Sequence, residues 1–422
     1  MVNKEPLKRI ILEYQGVAAG LRMVPRAVGL TDGSCCVFVG LRRVGKSYLM
    51  CQLMAQMVGR GHQWKDFLYI NFEDERLHGF DVDDFDTLML CYGELFGVRP
   101  VLFLDEIQVI TGWERFVRRL ADQKYQVFVT GSNAKMLSGD IASTLGGRLM
   151  ERRVYPFSFR EALLAHGVAV DDNLPYSSPA LLAREVDDYL AFGGMPDVVL
   201  APKEAKRAVL SNQFNAIFFR DLVTRYGIRG ESSLRTMVRK MAESVMQPLS
   251  YNRLAHVVSS AGQKIKVETI STYVDCLIET LLVFPMENMA ASLGERVSVR
   301  KYYFADNGFV QLFVAMPDPH LLENLVACEL HKRYGGDVFF YNHNVEVDFV
   351  VPSAGIAIQA CYNMADEETF NRETRALVRL AECNEEIRQL FIITMSDDRT
   401  LAIDGRLITV RSLARWLLEQ PV

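Results

Sequence analysis

The chain has 422 residues, of which half are hydrophobic and 23% are charged, and its formal net charge is −5. A chain of this length is expected to form two or three domains with ordinary packed cores. The negative net charge gives no support for non-specific binding to nucleic acid. A local basic patch would still allow such binding.

The cysteines and the hydrophobic segments narrow the class of protein further. The eight cysteines are scattered, and no C-x-x-C pair occurs. Disulfide frameworks and zinc ribbons are therefore not expected, whereas reduced, buried thiols are. The charged N-terminus lacks the apolar core of a signal peptide, and no uncharged apolar stretch reaches the roughly 20 residues that span a bilayer. We expect a cytoplasmic protein that does not contact membranes.

The most informative segment is the octapeptide at residues 40–47, which reads G-x-x-x-x-G-K-S. An apolar run at 35–39 precedes it and apolar residues at helical spacing follow, so the sequence predicts a strand, a glycine loop and a helix. In this context backbone amides and a helix N-terminus bind phosphate groups. Lys46 would reach the β- and γ-phosphates of ATP, and the Ser47 hydroxyl would bind Mg²⁺. The residues expected to contact ATP are Gly40, Arg42, Arg43, Val44, Gly45, Lys46, Ser47 and Tyr48.

A second nucleotide-binding element begins after Pro100, where four apolar residues lead to Asp105 and Glu106. Such a run is typical of a strand that is buried on both faces of a parallel sheet. Ligands of these sheets lie at the carboxyl ends of the strands. Asp105 would therefore bind Mg²⁺, and Glu106 would act as the catalytic group that polarises the attacking water.

Other segments complete the predicted sheet. Strands are expected at 67–72 and 126–130, with an amphipathic helix around 113–120. A polar residue after the strand at 126–130 would lie beside the acidic strand. Ser132 is the candidate, with Asn133 as its neighbour, and it either senses the γ-phosphate or caps the next helix.

Taken together, these motifs resemble the prokaryotic AAA+-like ATPases in which a P-loop domain precedes a C-terminal domain of unknown function. The segments that carry the resemblance lie at 40–47, 71–74, 104–108, 130–132, 145–148 and 155–161. The resemblance implies an ATPase domain at 1–170. It also implies that Arg148 is a catalytic arginine finger, which would act in cis or on a neighbouring subunit of an oligomer. The alternative for Arg148 is a surface ion pair with Glu151.

The resemblance continues into a helical lid at 171–230. A polar, turn-rich stretch at 171–179 predicts a linker or long loop at its start. A glycine pair and a proline at 193–196 interrupt a helical pattern and match the bend of the family's lid. Arg220 matches a lid arginine, which either contacts the γ-phosphate or forms an ion pair.

The segment 231–304 predicts two helices, a turn, a third helix and a hairpin, which resembles a winged helix. If this module binds DNA, the third helix would enter the major groove. That helix carries three carboxylates and no cation after its start, and carboxylates repel phosphates. The flanking cations that would still reach the DNA backbone are Lys264, Lys266, Arg296, Arg300 and Lys301. DNA contact and a protein-interaction or purely structural role therefore both stay open.

The segment 305–422 resembles the PD-(D/E)xK nuclease core, in which carboxylates hold Mg²⁺ and a lysine stabilises developing charge. Glu329 and Asp348 match the helix glutamate and the strand aspartate. Gln359 and Cys361 stand where the third motif has Glu and Lys. A neutral amide is a weak ligand for a hard cation, and a thiol cannot replace an ammonium group. We therefore expect a nuclease-like domain that has lost cleavage.

The sequence thus predicts an α/β protein: a P-loop NTPase parallel sheet with a helical lid, then a winged-helix segment and a restriction-endonuclease-like α/β domain. The predicted function is Mg²⁺-dependent ATP hydrolysis that moves the C-terminal domains, on DNA or on an unknown protein partner. Two alternatives stay open. One is a slow nucleotide-gated switch for protein interaction, and the other is an ATP-regulated, active DNA nuclease.

Overall fold

The computed structural model describes residues 3–21, 23–27, 34–133, 136, 139–171, 174, 178–262, 264–314 and 318–419. The chain divides into two compact units, Met1–Tyr155 and Pro156–Val422. The linker predicted at 171–179 lies largely outside the described residues. In the part of the chain that is described, no helix is both long and apolar enough to cross a bilayer.

A five-stranded, all-parallel sheet forms the centre of the first unit, with the strand order β2-β3-β4-β1-β5. Its strands are β1 (Cys35–Val39), β2 (Phe67–Asn71), β3 (Val101–Asp105), β4 (Val127–Gly131) and β5 (Leu149–Arg153). The first four strands are mostly buried because each is a nearly continuous apolar run, as a sheet covered on both faces requires. β5 lies at an edge and is largely exposed.

Helices cover this sheet. They span Lys4–Gly20, Lys46–Gly59, Phe85–Phe96, Trp113–Asp122 and Gly139–Leu145, with short 3₁₀ turns at Trp64–Asp66, Glu75–Leu77, Val82–Asp84 and Ile107–Val109. The helix Trp113–Asp122 buries the apolar face that its sequence period predicts. Because β4 lies between β1 and β3, the loop after β1 and the acidic end of β3 meet across the carboxyl end of β4.

The second unit opens with a helical region. Its helices are Phe159–Ala165, Pro179–Phe192, Pro196–Val199 and Lys206–Ala216, and a π-helix, Ile217–Thr224, continues the last of these. The predicted bend after Phe192 is present. Gly193 has φ 74°, and a Cβ on Gly194 would lie 2.1 Å from the Phe157 carbonyl oxygen, so both positions need glycine.

A small antiparallel sheet and three helices follow. The helices are Glu231–Glu243, Tyr251–Ser260 and Val267–Glu279, and the strands are β6 (Leu249–Ser250), β7 (Val283–Met286) and β8 (Val299–Phe304). The sheet order is β6-β8-β7, and a short helix, Leu293–Ser298, connects the two longer strands. This element order agrees with the helix and hairpin pattern of the sequence. The assignment as a winged helix stays a prediction.

A mixed six-stranded sheet, in the order β13-β14-β12-β11-β10-β9, forms the C-terminal part. Its strands are β9 (Phe339–Asn342), β10 (Glu346–Val351), β11 (Ile356–Ala360), β12 (Gln389–Thr394), β13 (Arg399–Ile403) and β14 (Arg406–Ser412). β11, β12 and β14 run parallel, and the other neighbours pair antiparallel. The helices of this part are Asn307–Gln311, Asp318–Tyr334, Glu367–Cys383 and Leu413–Leu418, with a 3₁₀ turn at Pro352–Ala354.

Candidate nucleotide site

The loop between β1 and the helix Lys46–Gly59 has a backbone suited to phosphate groups. Arg43 and Gly45 both have positive φ, 63° and 94°, which turns the chain tightly into the helix. Gly45 is the N-cap and offers no side chain to the first amides of the helix, so these donors stay open to a ligand. A Cβ on Gly40 would lie 2.3 Å from the Val154 carbonyl oxygen, so the loop begins where only glycine fits.

Lys46 lies inside this loop. Its side chain is only 3% exposed, and its Nζ donates to the carbonyl oxygens of Gly40 at 3.1 Å and Leu41 at 3.2 Å. The same Nζ lies 3.3 Å from Glu106 Oε1. The structure therefore joins the glycine loop to the acidic strand through one ion pair.

Asp105 ends β3 and is completely buried. Its carboxylate accepts hydrogen bonds from the Tyr69 hydroxyl at 2.9 Å and from the Thr130 hydroxyl. The Ser47 hydroxyl also donates to it. Burial raises the pKa of Asp105, and the nearby charge of Glu106 adds to the effect.

The oxygen atoms of Asp105 and Ser47 are suitable ligands for Mg²⁺. Carboxylate and hydroxyl oxygens are the hard ligands that this ion prefers, and a cation would relieve the buried charge of Asp105. Among the described residues, no group of three or more His, Cys, Asp or Glu side chains could hold a metal ion by itself. Two protein oxygens agree with the usual pattern, in which Mg²⁺ takes its remaining ligands from phosphates and water.

Glu106 faces Lys46 because the backbone turns at this residue. Consecutive side chains of a strand point to opposite faces, so a continued β3 would direct Asp105 and Glu106 apart. Glu106 instead adopts φ 51° and ψ 41°, and its amide donates to Thr130 Oγ1 at 2.8 Å. Burial opposes ionisation of Glu106, but the charge of Lys46, the hydrogen bond from Gln108 and the charge of Arg42 together outweigh it and lower the pKa of this carboxyl. Glu106 is therefore an ionised carboxylate at neutral pH.

Gln108 belongs to this cluster, although the sequence analysis did not assign it a role. Its Nε2 donates to Glu106 Oε2 at 2.5 Å and lies 3.5 Å from Ser132 Oγ. Ser132 is buried at the end of β4, so the predicted sensor position reaches Glu106 through Gln108. The signal in the sequence was the position of Gln108 two residues after Glu106, in a turn too short to show a helical period.

The other predicted loop residues have different surroundings. Arg42 forms a two-pronged ion pair with Glu73, with nitrogen–oxygen distances of 2.7 and 3.3 Å. Val44 is buried, and Tyr48 is about half exposed on the first turn of the helix. Arg26, which the sequence analysis missed, donates to the carbonyl oxygens of Val44 at 3.0 Å and Tyr155 at 2.7 Å. It therefore links the glycine loop to the segment that follows β5.

Arg148 does not join the cluster. It directly precedes β5, whose first residue pairs with Cys35 at the start of β1, whereas the glycine loop follows the end of β1. Arg148 therefore lies at the amino ends of the strands, whereas the glycine loop lies at their carboxyl ends. This placement corrects the prediction of an arginine finger that acts in cis. Its partner is Asp122 at 2.5 Å rather than the predicted Glu151, which instead pairs with Arg153.

A buried lysine of the second unit, Lys301, lies among three carboxylates. Lys301 has a fully buried side chain, and its Nζ lies 3.2 Å from Glu323, 3.5 Å from Glu346 and 3.8 Å from Asp348. The Tyr303 hydroxyl donates to Glu323 at 2.8 Å. Burial opposes the charge of Lys301, but the three carboxylates outweigh it and raise the pKa of this ammonium group.

This cluster corrects two residue assignments made from the sequence. Glu323 is the helix carboxylate that shares Lys301 with Asp348, whereas Glu329 pairs with Arg333 at 2.7 Å. The cation comes from Lys301 on β8 rather than from the position of Cys361. The Gln359 amide is used by the backbone, because it accepts from the Asp348 amide and donates to the Glu346 carbonyl oxygen.

The structure also changes the list of cations available to DNA. Lys301 is buried and cannot reach a phosphate. Arg296 donates to the carbonyl oxygens of Met289 and Ala291, and Arg300 pairs with Glu287 at 2.9 Å. Of the five predicted cations, Lys264 and Lys266 are the two that are largely exposed. The basic patch predicted beside the third helix is therefore reduced to these two residues.

Two family models match the chain. Residues 32–163 match the model of an AAA domain, and residues 183–319 match a domain of unknown function (DUF8612). The first match covers the glycine loop, the acidic strand and the parallel sheet that brings them together. The first unit has the fold of a P-loop AAA ATPase. This confirms the fold predicted for the N-terminal part, whereas the nuclease-like assignment of the C-terminal part stays a prediction.

Relatives match along nearly the whole chain. The chain is 29% identical to an uncharacterized protein of Methanocaldococcus jannaschii, over 99% of this chain and 96% of that protein. It is also 29% identical to an uncharacterized protein of Haemophilus influenzae, over 91% and 94% of the two lengths. Among solved structures it is similar to a Walker-type ATPase of Pyrococcus abyssi, with 12% identity, a TM-score of 0.40, and coverage of 74% of this chain and 96% of that one.

Proposed function

We propose that this P-loop AAA ATPase unit binds ATP with Mg²⁺ and hydrolyses it. The observation that carries the proposal is the Lys46–Glu106 contact of 3.3 Å, since it joins a phosphate-binding loop to a candidate base. The Ser47–Asp105 contact beside it offers the oxygens for the metal ion.

The chemistry follows from these groups. The amides at the start of the helix Lys46–Gly59 and the Lys46 ammonium would bind the β- and γ-phosphate oxygens. Bound Mg²⁺ would neutralise charge that develops between these phosphates. Lys46 must leave Glu106 to reach the phosphates, and this frees Glu106 Oε1 to accept a proton from the attacking water. Its lowered pKa keeps Glu106 in the required ionised state.

Nucleotide binding and turnover of two variants test the proposal. Lys46→Ala should raise the Kd for ATP by about 30-fold or more, because it removes a buried charge from the phosphate site. Glu106→Gln should keep ATP binding and lower turnover by about 100-fold or more. Equal ATP affinity in the wild type and Lys46→Ala would overturn the assignment.

We further propose that hydrolysis moves the second unit, through a lid at 171–230, to act on a macromolecular partner. The loss of Arg296, Arg300 and Lys301 from the available cations favours a protein partner over DNA. ATPase activity with single- and double-stranded DNA at two salt concentrations separates the two. Stimulation that weakens with salt would indicate DNA, and no stimulation would indicate protein. Turnover well below about 1 per second with the partner present would indicate a slow switch instead.

The nuclease alternative has one observation in its favour, the ammonium of Lys301 beside Asp348. The same ammonium also occupies the position between the carboxylates where a metal ion would bind, and this favours an inactive domain. Plasmid cleavage with Mg²⁺ or Mn²⁺ that disappears in Asp348→Ala would establish the nuclease. No cleavage with either ion would exclude it.

A further inference from the structure

Both carboxylate oxygens of Glu106 are engaged in this structure. Oε1 faces Lys46 at 3.3 Å, and Oε2 accepts from Gln108 Nε2 at 2.5 Å. An attacking water needs one of these oxygens as an acceptor. The conformation is therefore one in which the candidate base is held but not available.

The two contacts differ in what ATP would do to them. Lys46 lies in the phosphate-binding loop, so phosphate oxygens compete directly for its ammonium group. Gln108 lies in the 3₁₀ turn Ile107–Val109 that follows Glu106, and it has no part in the loop. ATP would therefore remove the first contact and leave the second in place.

Packing fixes the Gln108 amide from the other side. A Cβ on Gly131 would lie 2.9 Å from Gln108 Oε1, so the amide lies against the backbone at the end of β4. Its Nε2 is also 3.5 Å from Ser132 Oγ. Gln108 Oε1 is buried and has no hydrogen-bond partner among the described residues. A buried amide with one unused acceptor is costly, and such groups are retained where they serve a site.

We propose that Gln108 is a positioning residue for ATP hydrolysis: it holds Oε2 of Glu106 so that Oε1 alone turns to the attacking water once Lys46 has moved to the phosphates. This inference rests on the proposed ATPase function. It gives the glutamine of the segment 104–108 a task that differs from phosphate binding. It also makes the Gln108 amide the link between Ser132, which follows β4, and Glu106, which follows β3.

The loss of this contact has two consequences. Without Gln108, Glu106 would keep its charge but lose its fixed orientation when Lys46 leaves, and misplacement of a catalytic group by about 1 Å costs roughly 100-fold in rate. Glu106 Oε2 also loses its donor, so either oxygen of this carboxylate can turn to the water. ATP binding should hardly change, because the phosphate-binding groups remain.

The test compares Gln108→Met with the wild type. Methionine has a similar length and volume but no hydrogen-bond donor. We expect kcat to fall about 10- to 100-fold while the Kd for a non-hydrolysable ATP analogue stays within about threefold. Gln123→Met, at an exposed glutamine of the same unit, is the matched control and should match the wild type.

Gln108→Glu is the second variant, because it keeps the size of the side chain and replaces the donor with a carboxylate. It should lower kcat further, since a carboxylate at this position repels Glu106 instead of donating to its Oε2. Unchanged kcat in Gln108→Met, or a fall in kcat that is matched by lost ATP binding, overturns the inference. A wild type without ATP binding or turnover would instead overturn the proposed function itself.

Discussion

Lys46 in the first unit and Lys301 in the second unit are both buried against carboxylates, and their surroundings differ. Lys46 contacts a single carboxylate, that of Glu106, and two backbone carbonyl oxygens within a glycine loop. Lys301 contacts three carboxylates, and its side chain is completely buried by β8 and its neighbours. The same pair of chemical groups therefore occurs in a loop at the start of a helix and inside a packed core.

The difference decides what each cluster can bind. Around Lys46, the open amides of the helix N-terminus add partial positive charge to that of the ammonium group. The net local charge is therefore positive and favours the binding of an anion. Around Lys301, three carboxylates face one ammonium, and the sum repels an anion. The Lys46 contact can be exchanged for phosphate, whereas the Lys301 contact holds two strands and a helix together. A lysine–carboxylate pair thus indicates a phosphate site only where the backbone around it supplies further donors.

The largest effect is expected from the removal of the Lys301 charge. Lys301→Met would leave the buried carboxylate of Glu323 and the partly buried one of Asp348 without their cation, and loss of one partner of a buried ion pair costs about 3–5 kcal/mol. The free energy of unfolding of the second unit, measured in urea, should fall by this amount. Lys266→Met, at an exposed lysine, is the control and should change it by less than about 0.5 kcal/mol. A loss below about 1 kcal/mol in Lys301→Met would contradict the account of this cluster.

The second largest effect is expected when ATP replaces the Lys46–Glu106 contact with a contact between Lys46 and phosphate. ATP with Mg²⁺ at 100 times its Kd should stabilise the first unit by about 2.7 kcal/mol, because ligand binds only the folded state. Thermal unfolding with and without nucleotide measures this shift. The same nucleotide concentration should stabilise Lys46→Ala by at most about 0.9 kcal/mol, because its Kd is expected to be about 30-fold higher or more. A shift of equal size in both proteins would mean that the nucleotide binds elsewhere.

The contrast also explains how far the sequence could predict this molecule. The octapeptide at 40–47 and the Asp105–Glu106 pair were predictable because their function depends on local backbone and on neighbours in the chain. The long apolar runs of β1 to β4 fixed the type of sheet for the same reason. Each of these features is defined by residues that are adjacent in the chain, so a single sequence is enough to identify it.

The errors all concern contacts between distant segments. Glu323 and Glu329 lie on the same helix, and the sequence cannot tell which of them faces Asp348 until the angle of that helix on the sheet is known. Lys301 comes from a strand that precedes this helix, so no local motif contains it. Arg148 depends on the register of β5 with β1, and this register places it at the edge opposite the loop.

The buried carboxylate of Asp306 extends the comparison to a site whose hydrogen-bond donors are backbone amides. Asp306 accepts hydrogen bonds from the amides of Gly194 at 2.7 Å and Gly308 at 2.9 Å. A Cβ on Gly193 would lie 1.9 Å from its Oδ1, so the carboxylate fixes the glycine bend. Burial raises the pKa of Asp306 to about 7, and the backbone amides only partly oppose this. Glu106, which has Lys46 as its partner, shifts in the opposite direction.

The sign of the pH effect follows from the raised pKa of Asp306. Between its ordinary value of 3.8 and about pH 7, the folded protein holds a proton that the unfolded chain has lost. The contribution of Asp306 to stability therefore falls as the pH rises through this window, by at most about 1.4 kcal/mol per pH unit. The free energy of unfolding can be measured in urea at pH 5, 6 and 7 and plotted against pH. The slope of this plot should be less negative in Asp306→Asn than in the wild type. Identical slopes would show that Asp306 titrates normally.

The smallest effect is expected at Arg148. Its ion pair with Asp122 is partly exposed, at 32% and 50% for the two side chains, so Arg148→Ala should cost only about 0.2–1 kcal/mol in stability. Because the residue lies at the edge of the sheet away from Lys46 and Glu106, it cannot serve the site of its own chain. In dilute solution, kcat and the Kd for ATP should therefore stay within about twofold of the wild type.

Protein concentration separates this expectation from action on a neighbouring subunit. If Arg148 serves a neighbour, wild-type turnover per chain should rise with concentration, and that of Arg148→Ala should not. Lys46→Ala chains, which keep Arg148 but do not bind ATP tightly, should then restore the activity of Arg148→Ala when the two are mixed. A loss of kcat in dilute Arg148→Ala, where no neighbour is present, would contradict the strand register itself, because only a different placement of β5 brings this arginine to the phosphates of its own chain.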